Sequence, residues 1–542
     1  MPAPGLGLLH RSAKYGGCLI NTQAAPARSG RSRLPLNAGA AVFATAAQTL
    51  IGMLLYAYLI RRVGAATVGV WVSLMAAGLL ACTADLGLNY ALVRRLALTQ
   101  HDNEGPSAHE TVETLVWSVV VLTGTALVAV DLAFPLWSAW LNLAPDVHSN
   151  AVRWLPFVLI GLWLNRIADA LGGCLDGQQR FVERSIAGTG ALLAGLVLSV
   201  VCVPLWGMDG LTAAFVVQNA LLASANFMLL TAGLPGLRWL RPRLRLGVLR
   251  DGARYGLSIQ ALVLCYLVLE SGTKLTLARS GNLTAVSYFD LSFRIAKGIR
   301  GLLASALRVL VPRLAPTGGL VDGSALRGSL YARSFEALLV VALPIFAGLL
   351  AASHGIAWLM IGRSDPVFVE ALMFALLPWL AYSLTDPALN LSLASGRMGW
   401  PLSAHLVTLA LSAVLVYSLG SPTSYRGLYA IVMFAMLVGC VITLVGVHRN
   451  EHMPWRLLKP GMTVLVLLSG LLAGLLGVFA PVLLPWPHPI LRWCAVAAGY
   501  LGFLAILWQH PSARSLLGLR QATSQTPQTA PQHCQPARRK GP

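Results

Sequence analysis

The chain has 542 residues, of which 56% are hydrophobic and only 11% are charged, and its mean hydropathy is +0.69. A soluble protein of this size cannot bury so much apolar surface, so the composition excludes most cytosolic enzymes, and it excludes intrinsic disorder except at the two ends. Fourteen membrane helices of about 21 residues would use roughly 294 positions, close to the hydrophobic total. We therefore predict an all-α polytopic membrane protein with about fourteen transmembrane helices.

The apolar runs, taken in chain order, divide the sequence into six regions. Residues 1–36 are basic and contain no apolar stretch long enough for a signal peptide, which predicts a cytoplasmic tail. The following regions are predicted as a six-helix bundle at 37–232, a basic cytoplasmic linker at 233–252, a second six-helix bundle at 253–447, two additional transmembrane helices at 461–508 and a disordered cytoplasmic tail at 509–542. The individual spans are predicted at 37–60, 69–92, 112–134, 152–173, 186–204, 210–232, 253–272, 283–307, 335–361, 367–393, 400–420, 427–447, 461–484 and 489–508.

The formal charge of +20 comes from 40 Lys and Arg against 20 Asp and Glu. In a soluble protein this excess would suggest a nucleic-acid partner. With the N-terminal side taken as cytoplasmic, 27 cations fall in the tails and loops on that side and 7 in the loops on the other. This asymmetry follows the positive-inside rule, so we predict a multi-pass membrane protein with both termini in the cytoplasm. Most of the cations then face anionic membrane lipids, and no nucleic-acid partner is needed.

Motifs for catalysis or metal binding are scarce in the sequence. The eight cysteines contain no CxxC pair, so neither a disulfide framework nor a metal site is expected. The chain has no P-loop of the form GxxxxGK followed by Ser or Thr, and no long loop carries paired carboxylates. We predict a transporter rather than an enzyme, without a cofactor.

An internal repeat relates the two predicted bundles. The segment RVGAATVGVW at 62–71 is echoed about 217 residues later by RSGNLTAVSYF at 279–289, and a second echo joins 91–97 to 309–315. Because six spans separate the two copies, both bundles would run in the same direction, as in parallel-repeat transporters whose substrate site lies at the interface. Chance similarity between two short Arg-bounded segments is the alternative.

The predicted span at 283–307, together with the residue that follows it, carries the densest set of charged residues. At 100° per residue, Asp290, Arg294, Lys297 and Arg308 fall on one stripe roughly 27 Å long. Three cations against one carboxylate would give one wall of a water-filled cavity a positive potential suited to an anionic headgroup. Alternatively, Asp290 and Arg294 form an i, i+4 pair and Arg308 extends to the inner interface, which leaves Lys297 unexplained.

Two further charge pairs lie in or beside predicted spans. Arg166 and Asp169 stand at i, i+3, and they either neutralise each other or reach the same cavity as the charged stripe. Glu270 and Lys274 stand at i, i+4 near the outer face, where a pair at the membrane interface is the simpler interpretation. With Asp290, these residues are candidates to support substrate binding or ion coupling.

Two isolated carboxylates complete the set of candidates. Asp85 is followed four residues later by Asn89, and Asp386 by Asn390, in otherwise apolar spans. Each carboxylate is a candidate for a proton or coupling-cation site, and the alternative is a polar group that packs between helices.

Several short segments occur in an order that points to a known family. They are LIRRVG at 59–64, GVW at 69–71, ADLGL at 84–88, ALVRRLA at 91–97, DGQQRF at 176–181, and parts of 274–289 and 294–313. In these segments the chain resembles the polysaccharide-transporter (Wzx-type flippase) family of the multidrug/oligosaccharidyl-lipid/polysaccharide exporter superfamily. The likeness is clearest over the first eight spans. One departure is Thr273 before Lys274, where many relatives have an acidic residue.

The resemblance implies two six-helix bundles around a central cationic cavity, plus two extra helices. It implies that the protein moves an undecaprenyl-diphosphate-linked oligosaccharide from the inner to the outer leaflet by alternating access, for a surface polysaccharide such as an O-antigen, lipopolysaccharide or exopolysaccharide. The implied location is the bacterial inner membrane, and the implied partners are this lipid-linked oligosaccharide and the polysaccharide polymerase and chain-length machinery. A diphosphate needs several cations in a wet cavity, so we predict that Arg294 and Lys297, with Arg166 opposite, hold it and that Arg308 belongs to the same cationic cavity.

Two other functions remain as alternatives. A drug or cation exporter of the same superfamily should prefer an acidic cavity, against which the cationic stripe argues. A polytopic polymerase or ligase acting on lipid-linked sugars would use a large outer loop, and the predicted outer loops are all short.

Overall fold

A computed structural model describes residues 34–99, 107–142, 144–234, 240–307, 323–395, 397–419, 424–451, 455, 460–484 and 489–510. Within these residues the chain is helical, without a β-strand. The predicted tails at 1–36 and 509–542 fall almost wholly outside the described residues, as does part of the linker at 233–252. Arg308 also lies outside them.

Sixteen α-helices and one short 3-10 helix, Cys82–Asp85, make up the described part of the chain. The α-helices are α1 (Leu34–Val63), α2 (Ala65–Ala81), α3 (Leu88–Thr99), α4 (Ala108–Leu132), α5 (Phe134–Leu141), α6 (Pro145–Gly177), α7 (Phe181–Gly233), α8 (Leu246–Arg279), α9 (Leu283–Leu307), α10 (Gly323–Ala351), α11 (Ser353–Ile361), α12 (Pro366–Ser395), α13 (Gly399–Ser418), α14 (Tyr425–Asn450), α15 (Pro460–Leu483) and α16 (Pro489–Trp508).

The prediction of about fourteen transmembrane helices is confirmed. Twelve helical segments of the described residues are long and apolar enough to cross a membrane. One of them, α7, has 53 residues and contains two of the predicted spans, which meet at Gly207, where φ is 57° and ψ is −131°. The helix α9 is also long enough to span, with 25 residues, but it carries four charged side chains. The kinked helix and the charged helix together account for the difference between twelve and fourteen.

The second predicted span, 69–92, is wrong as a continuous helix. The helix α2 gives way to the 3-10 turn, and Leu86 and Gly87 then take positive φ values of 53° and 71° before α3 begins. The carboxylate of Asp85 accepts a hydrogen bond from the backbone N–H of Gly87 at 3.1 Å, which stabilises the break. The surrounding residues are apolar, so the hydropathy pattern alone does not reveal this interruption.

We call the face where α1 begins the near face and the face where α1 ends the far face. Fourteen spans are an even number of crossings, so α16 is expected to end at the near face as well. The turns α1–α2 and α8–α9 occupy equivalent positions of the predicted repeat, and each contains a glycine with positive φ, Gly64 at 90° and Gly281 at 77°. Glycine adopts this conformation at little steric cost, so the two bundles make the same turn in the same way.

The two bundles touch at the far face through backbone and side-chain contacts. A Cβ atom on Gly69 of α2 would overlap the carbonyl oxygen of Leu283 in α9, so the two helices meet backbone to backbone. The guanidinium of Arg61, at the end of α1, donates to the carbonyl oxygens of Trp358, Leu359 and Met360 at the end of α11. The last carbonyls of a helix have no partner within it, so Arg61 stabilises the end of α11 from the other bundle.

A second set of contacts joins the bundles towards the near face, between the start of α3 and α8. The backbones of Gly87 and Gly256 approach so closely that neither position has room for a side chain. An ion pair between Arg95 and Asp251 at 3.0 Å lies beside this contact. The bundles therefore contact each other both at the far face and towards the near face.

The contact at Gly69 yields a prediction about stability. Replacing Gly69 with Ala is expected to lower the thermal midpoint in detergent, because the new methyl group must push α2 away from the backbone of α9. The matched control is Gly52→Ala in α1, where a Cβ atom meets nothing within 4 Å. Alanine favours helix over glycine by about 1 kcal/mol, so the control should be neutral or more stable. Equal behaviour of the two variants would contradict the close approach.

Candidate substrate-binding site

Five charged side chains of α8 and α9 form a connected group, which we call the ion cluster: Glu270, Lys274, Asp290, Arg294 and Lys297. The ammonium of Lys274 lies 2.7 Å from Glu270 and 2.5 Å from Asp290. Arg294 donates to Asp290 at 2.7 Å, and Lys297 donates to Glu270 at 3.0 Å. Lys274 is thus the central cation, shared by both carboxylates, and each carboxylate has a second cation of its own.

The spacing of the residues explains how the ion cluster forms. Glu270 and Lys274 are four residues apart on α8, and Asp290 and Arg294 have the same spacing on α9, so each pair lies on one face of its helix. The two helices are antiparallel and joined by three residues. The side chain of Asn282 in this turn accepts a hydrogen bond from the third residue of α9 at 3.0 Å. The short turn fixes the register that brings the two pairs together.

The side chains of the ion cluster differ sharply in exposure. Asp290, Lys274 and Glu270 are buried, with side-chain exposures of 2%, 5% and 9%. Arg294 and Lys297 keep 46% and 39% of their side-chain surface exposed. With three cations and two carboxylates the ion cluster carries a formal charge of +1. The buried members anchor the cluster, and the two half-exposed cations can still reach a ligand.

Aromatic rings pack against the two half-exposed cations. The hydroxyl of Tyr56, in α1, donates a hydrogen bond to Asp290, and its ring centroid lies 4.7 Å from the guanidinium carbon of Arg294. The ring of Tyr266, in α8, lies 5.1 Å from the ammonium of Lys297. A ring face attracts a cation electrostatically, so both positive groups are held in defined positions. Tyr56 also ties the first bundle to the ion cluster of the second.

The prediction that Asp386 is an isolated carboxylate is wrong. Arg300 of α9 donates to both of its oxygens, at 2.5 and 3.3 Å, in a bidentate pair between α9 and α12. The guanidinium of Arg300 also lies 5.4 Å from the ring centroid of Trp379 and 5.5 Å from that of Tyr382. At 100° per residue Arg300 projects to one side of the charged stripe, and this side faces α12.

The predicted pair Glu270–Lys274 forms, but it is not a separate pair at the protein surface. Both side chains are buried against α9 and belong to the ion cluster. Of the predicted stripe, Asp290, Arg294 and Lys297 carry a net charge of +1, and Arg308 lies outside the described residues. Glu270 and Lys274 of α8 add one charge of each sign, and Asp386 of α12 pairs with Arg300 beside the stripe. A projection of one helix cannot include charges that another helix supplies.

Arg166 lies in a separate group on α6. Its guanidinium is 3.5 Å from Asp169 in the same helix, so the predicted i, i+3 pair is present. Asp85, the other predicted carboxylate of the first bundle, accepts a hydrogen bond from Gln260 of α8 at 3.1 Å. The structure brings Arg294 and Lys297 together but leaves Arg166 in the first bundle, paired within its own helix.

Comparison with protein families decides the assignment of the chain. A family model described as polysaccharide biosynthesis protein matches residues 36–317. The chain belongs to the polysaccharide biosynthesis protein family. The matched segment covers α1 to α9 and thus the complete ion cluster. The predicted resemblance to Wzx-type transporters is confirmed. No curated protein sequence matches the chain at a significant level.

Solved structures show that this family member has the fold of the exporter superfamily. The chain is similar to the lipid II flippase MurJ in an inward-closed conformation, with a TM-score of 0.64 and 13% identity over 89% of this chain and 100% of the other. It is similar to the MATE multidrug transporter DinF-BH, with a TM-score of 0.58 and 15% identity over 80% and 98% of the two chains. It is also similar to an inward-facing multidrug transporter of the MATE family, with a TM-score of 0.56 and 12% identity over 75% of this chain and 94% of the other. The polysaccharide biosynthesis family member is thus a multi-pass membrane protein with a transporter fold.

Sequence reasoning missed the aromatic residues of the site in this family member. Tyr56 and Tyr266 lie in apolar spans in which a tyrosine is ordinary, and neither has a charged neighbour at i±3 or i±4 apart from Glu270, four residues after Tyr266. That single spacing is the signal that could have identified Tyr266. Tyr56 meets the ion cluster only through the packing of α1 on α9, and no local pattern indicates it.

Proposed function

We propose that the protein is a flippase that moves a polyprenyl-diphosphate-linked oligosaccharide from the inner to the outer leaflet for surface polysaccharide biosynthesis. The observation that carries this proposal is the pair of half-exposed cations, Arg294 and Lys297, on an ion cluster of charge +1 between α8, α9 and α1. The membership of the chain in the polysaccharide biosynthesis family supports the class of substrate.

The ion cluster fits a diphosphate by charge and by hydrogen bonding. A guanidinium offers a planar set of donors that matches phosphate oxygens, and an ammonium adds a compact charge. Asp290 and Glu270 each keep Lys274 as a partner, so Arg294 and Lys297 can turn towards a ligand without leaving a buried carboxylate unpaired. An anion would therefore be stabilised without a large electrostatic penalty elsewhere.

A cationic drug fits the same site poorly. Two of the similar structures are multidrug transporters, so the fold admits this function. In this chain, however, the carboxylates of the ion cluster are buried and already paired, and the groups that remain exposed are positive. A drug cation would meet repulsion where a diphosphate meets attraction.

The contacts between the bundles at the far face and towards the near face support a cycle of alternating access. In this cycle the near-face contacts at Gly87 and Gly256 open to load the substrate, and the far-face contacts of Arg61 open to release it. The positive-inside asymmetry of 27 cations against 7 supports a near face in the cytoplasm of a bacterium and therefore cytoplasmic termini. A polysaccharide polymerase and its chain-length machinery would receive the substrate on the outer side.

Deletion of the protein tests the proposal. Cells without it should accumulate lipid-linked oligosaccharide whose sugars are confined to the inner leaflet, measured by resistance to a glycan-modifying enzyme added to the outer side of spheroplasts. Expression of the intact chain should restore access. If the deleted cells expose the same lipid-linked sugars to the enzyme as the parent cells, the protein is not this flippase.

A further inference from the structure

A second polar feature lies in the first bundle, away from the ion cluster. A cavity of about 420 Å³, which we call the amide cavity, opens between α1, α6 and the two halves of α7. Ten of its seventeen lining residues are polar. Sites for drug-like ligands of this size are lined predominantly by apolar and aromatic side chains, so the amide cavity suits a different class of ligand.

Neutral amides are the most distinctive part of the lining. They come from all the helices that enclose the cavity: Gln48, Asn165, Gln218, Asn219 and Asn226. Each amide offers donors and an acceptor at the same place, which matches a hydroxyl group, since a hydroxyl also donates and accepts. A ligand with many hydroxyl groups could form hydrogen bonds on every side of this cavity.

One of these amides has unused hydrogen-bonding capacity in a buried position. Asn226 is 2% exposed, and its Nδ2 donates to the carbonyl oxygen of Ala168 at 2.9 Å, but its Oδ1 is buried without a hydrogen-bond partner among the described residues. Gln218 is half-buried and lines the same cavity. A buried acceptor without a partner costs about 1–3 kcal/mol, so a ligand hydroxyl that reached Asn226 would remove a real penalty.

The charges of the amide cavity are balanced, unlike those of the ion cluster. Asp169 is paired with Arg166 at 3.5 Å, and Asp176 is paired with Arg184. Among the described residues that line the cavity, no cation is left over to attract a phosphate, and neither carboxylate is free of an arginine to bind a cation. Both carboxylates keep lone pairs that can accept further hydrogen bonds from hydroxyl groups. The balance favours a neutral polar ligand.

The amide cavity and the ion cluster are neighbours along α1. Gln48 lines the cavity and Tyr56 contacts the ion cluster, and eight residues of helix correspond to about 12 Å. Between them, Gly298 of α9 packs so closely on Thr49 that a side chain would overlap it. Because Lys297 is the residue before Gly298, one extended headgroup could contact both sites.

We infer that the amide cavity binds the sugar residues of the substrate while the ion cluster holds its diphosphate. This inference rests on the proposed function and adds a site for the neutral, hydroxyl-rich part of the lipid-linked oligosaccharide. The division of charge follows the chemistry of the headgroup, in which the diphosphate is anionic and the sugars offer hydroxyl groups.

Binding measurements on the full-length protein in nanodiscs test this inference with two probes. The sugar-bearing probe is lipid-linked oligosaccharide extracted from cells that lack the protein, and the sugar-free probe is undecaprenyl diphosphate. The intact protein should bind the sugar-bearing probe more tightly. Replacing Gln218 or Asn165 with Leu should reduce this preference about fivefold, as expected for the loss of one or two hydrogen bonds, and leave binding of the sugar-free probe unchanged.

The controls separate the possible outcomes. Asn390→Leu changes an amide of α12 outside the amide cavity and should keep the full preference. Unchanged binding of undecaprenyl diphosphate shows that each variant is folded. If the intact protein shows no preference, or if the Gln218 and Asn165 variants keep it, the amide cavity is not the sugar site although the flippase proposal stands. If the intact protein binds neither probe, the flippase proposal itself fails.

Discussion

Replacing Arg294 and Lys297 together with glutamine is expected to abolish export of the polysaccharide while the protein remains folded and inserted. These two side chains are the cations of the ion cluster with substantial exposure, at 46% and 39%. Each charge-assisted hydrogen bond contributes about 1.5–3 kcal/mol. Loss of both donors should therefore weaken binding of a diphosphate by about 3 kcal/mol or more, which is over a hundredfold.

The design of this variant separates function from stability. Lys274 remains between Glu270 and Asp290, so neither buried carboxylate becomes unpaired. The matched control is the double variant Arg363→Gln and Arg426→Gln, which also removes two paired cations, but from exposed positions elsewhere. Export should be measured together with the amount of folded protein in the membrane. Normal export by the Arg294 and Lys297 variant would exclude these residues from substrate binding.

Lys274→Met should have the largest effect on stability. Lys274 is 5% exposed and is the cation that two buried carboxylates share, at 2.5 and 2.7 Å. Removing one member of a buried ion pair typically costs about 3–5 kcal/mol when the remaining charge is left uncompensated. Asp290 and Glu270 would each keep one cation, Arg294 and Lys297, but these two are half-exposed, so we place the cost towards the lower end of this range. We expect a large decrease in the thermal midpoint of the purified protein.

Two further variants serve as controls for the thermal midpoint of Lys274→Met. Lys274→Arg keeps the positive charge and should recover part of the stability, limited by the larger size of the guanidinium. Arg426→Gln breaks an exposed pair with Glu370 and should leave the thermal midpoint almost unchanged. A midpoint for Lys274→Met as high as that of the intact protein would show that the ion cluster does not stabilise the fold.

Hydropathy was sufficient to predict the fold because a membrane span needs a fixed length of apolar chain. The predicted spans at 186–204 and 210–232 correspond to the two halves of α7, although no polar loop separates them. Backbone geometry that depends on single residues was not predictable in the same way. The break at Leu86 and Gly87 is stabilised by one hydrogen bond that the Asp85 carboxylate accepts from the N–H of Gly87, within an apolar segment.

The candidate site was predictable only where its residues share a helix. The pairs Glu270–Lys274 and Asp290–Arg294 follow from their spacing. Other contacts join α8 to α9, or Arg300 to Asp386 in α12. They depend on how the helices pack, which cannot be predicted from the spacing of residues within one helix. Arg166 was placed with Arg294 because both are charged residues in spans, and charge type alone cannot give a position in three dimensions.

The charges of α9 also have a consequence for how the protein is made. Four charged residues in one span would cost on the order of 10 kcal/mol if that helix entered the bilayer alone. Two of them, Asp290 and Lys297, pair with residues of α8, the helix synthesised immediately before, across a turn of three residues, and Arg294 pairs with Asp290. Insertion of α8 and α9 together as a paired hairpin would lower this cost, because three of the four charges would enter the bilayer already paired. The salt bridges of the ion cluster would then form during biogenesis, before the second bundle is complete.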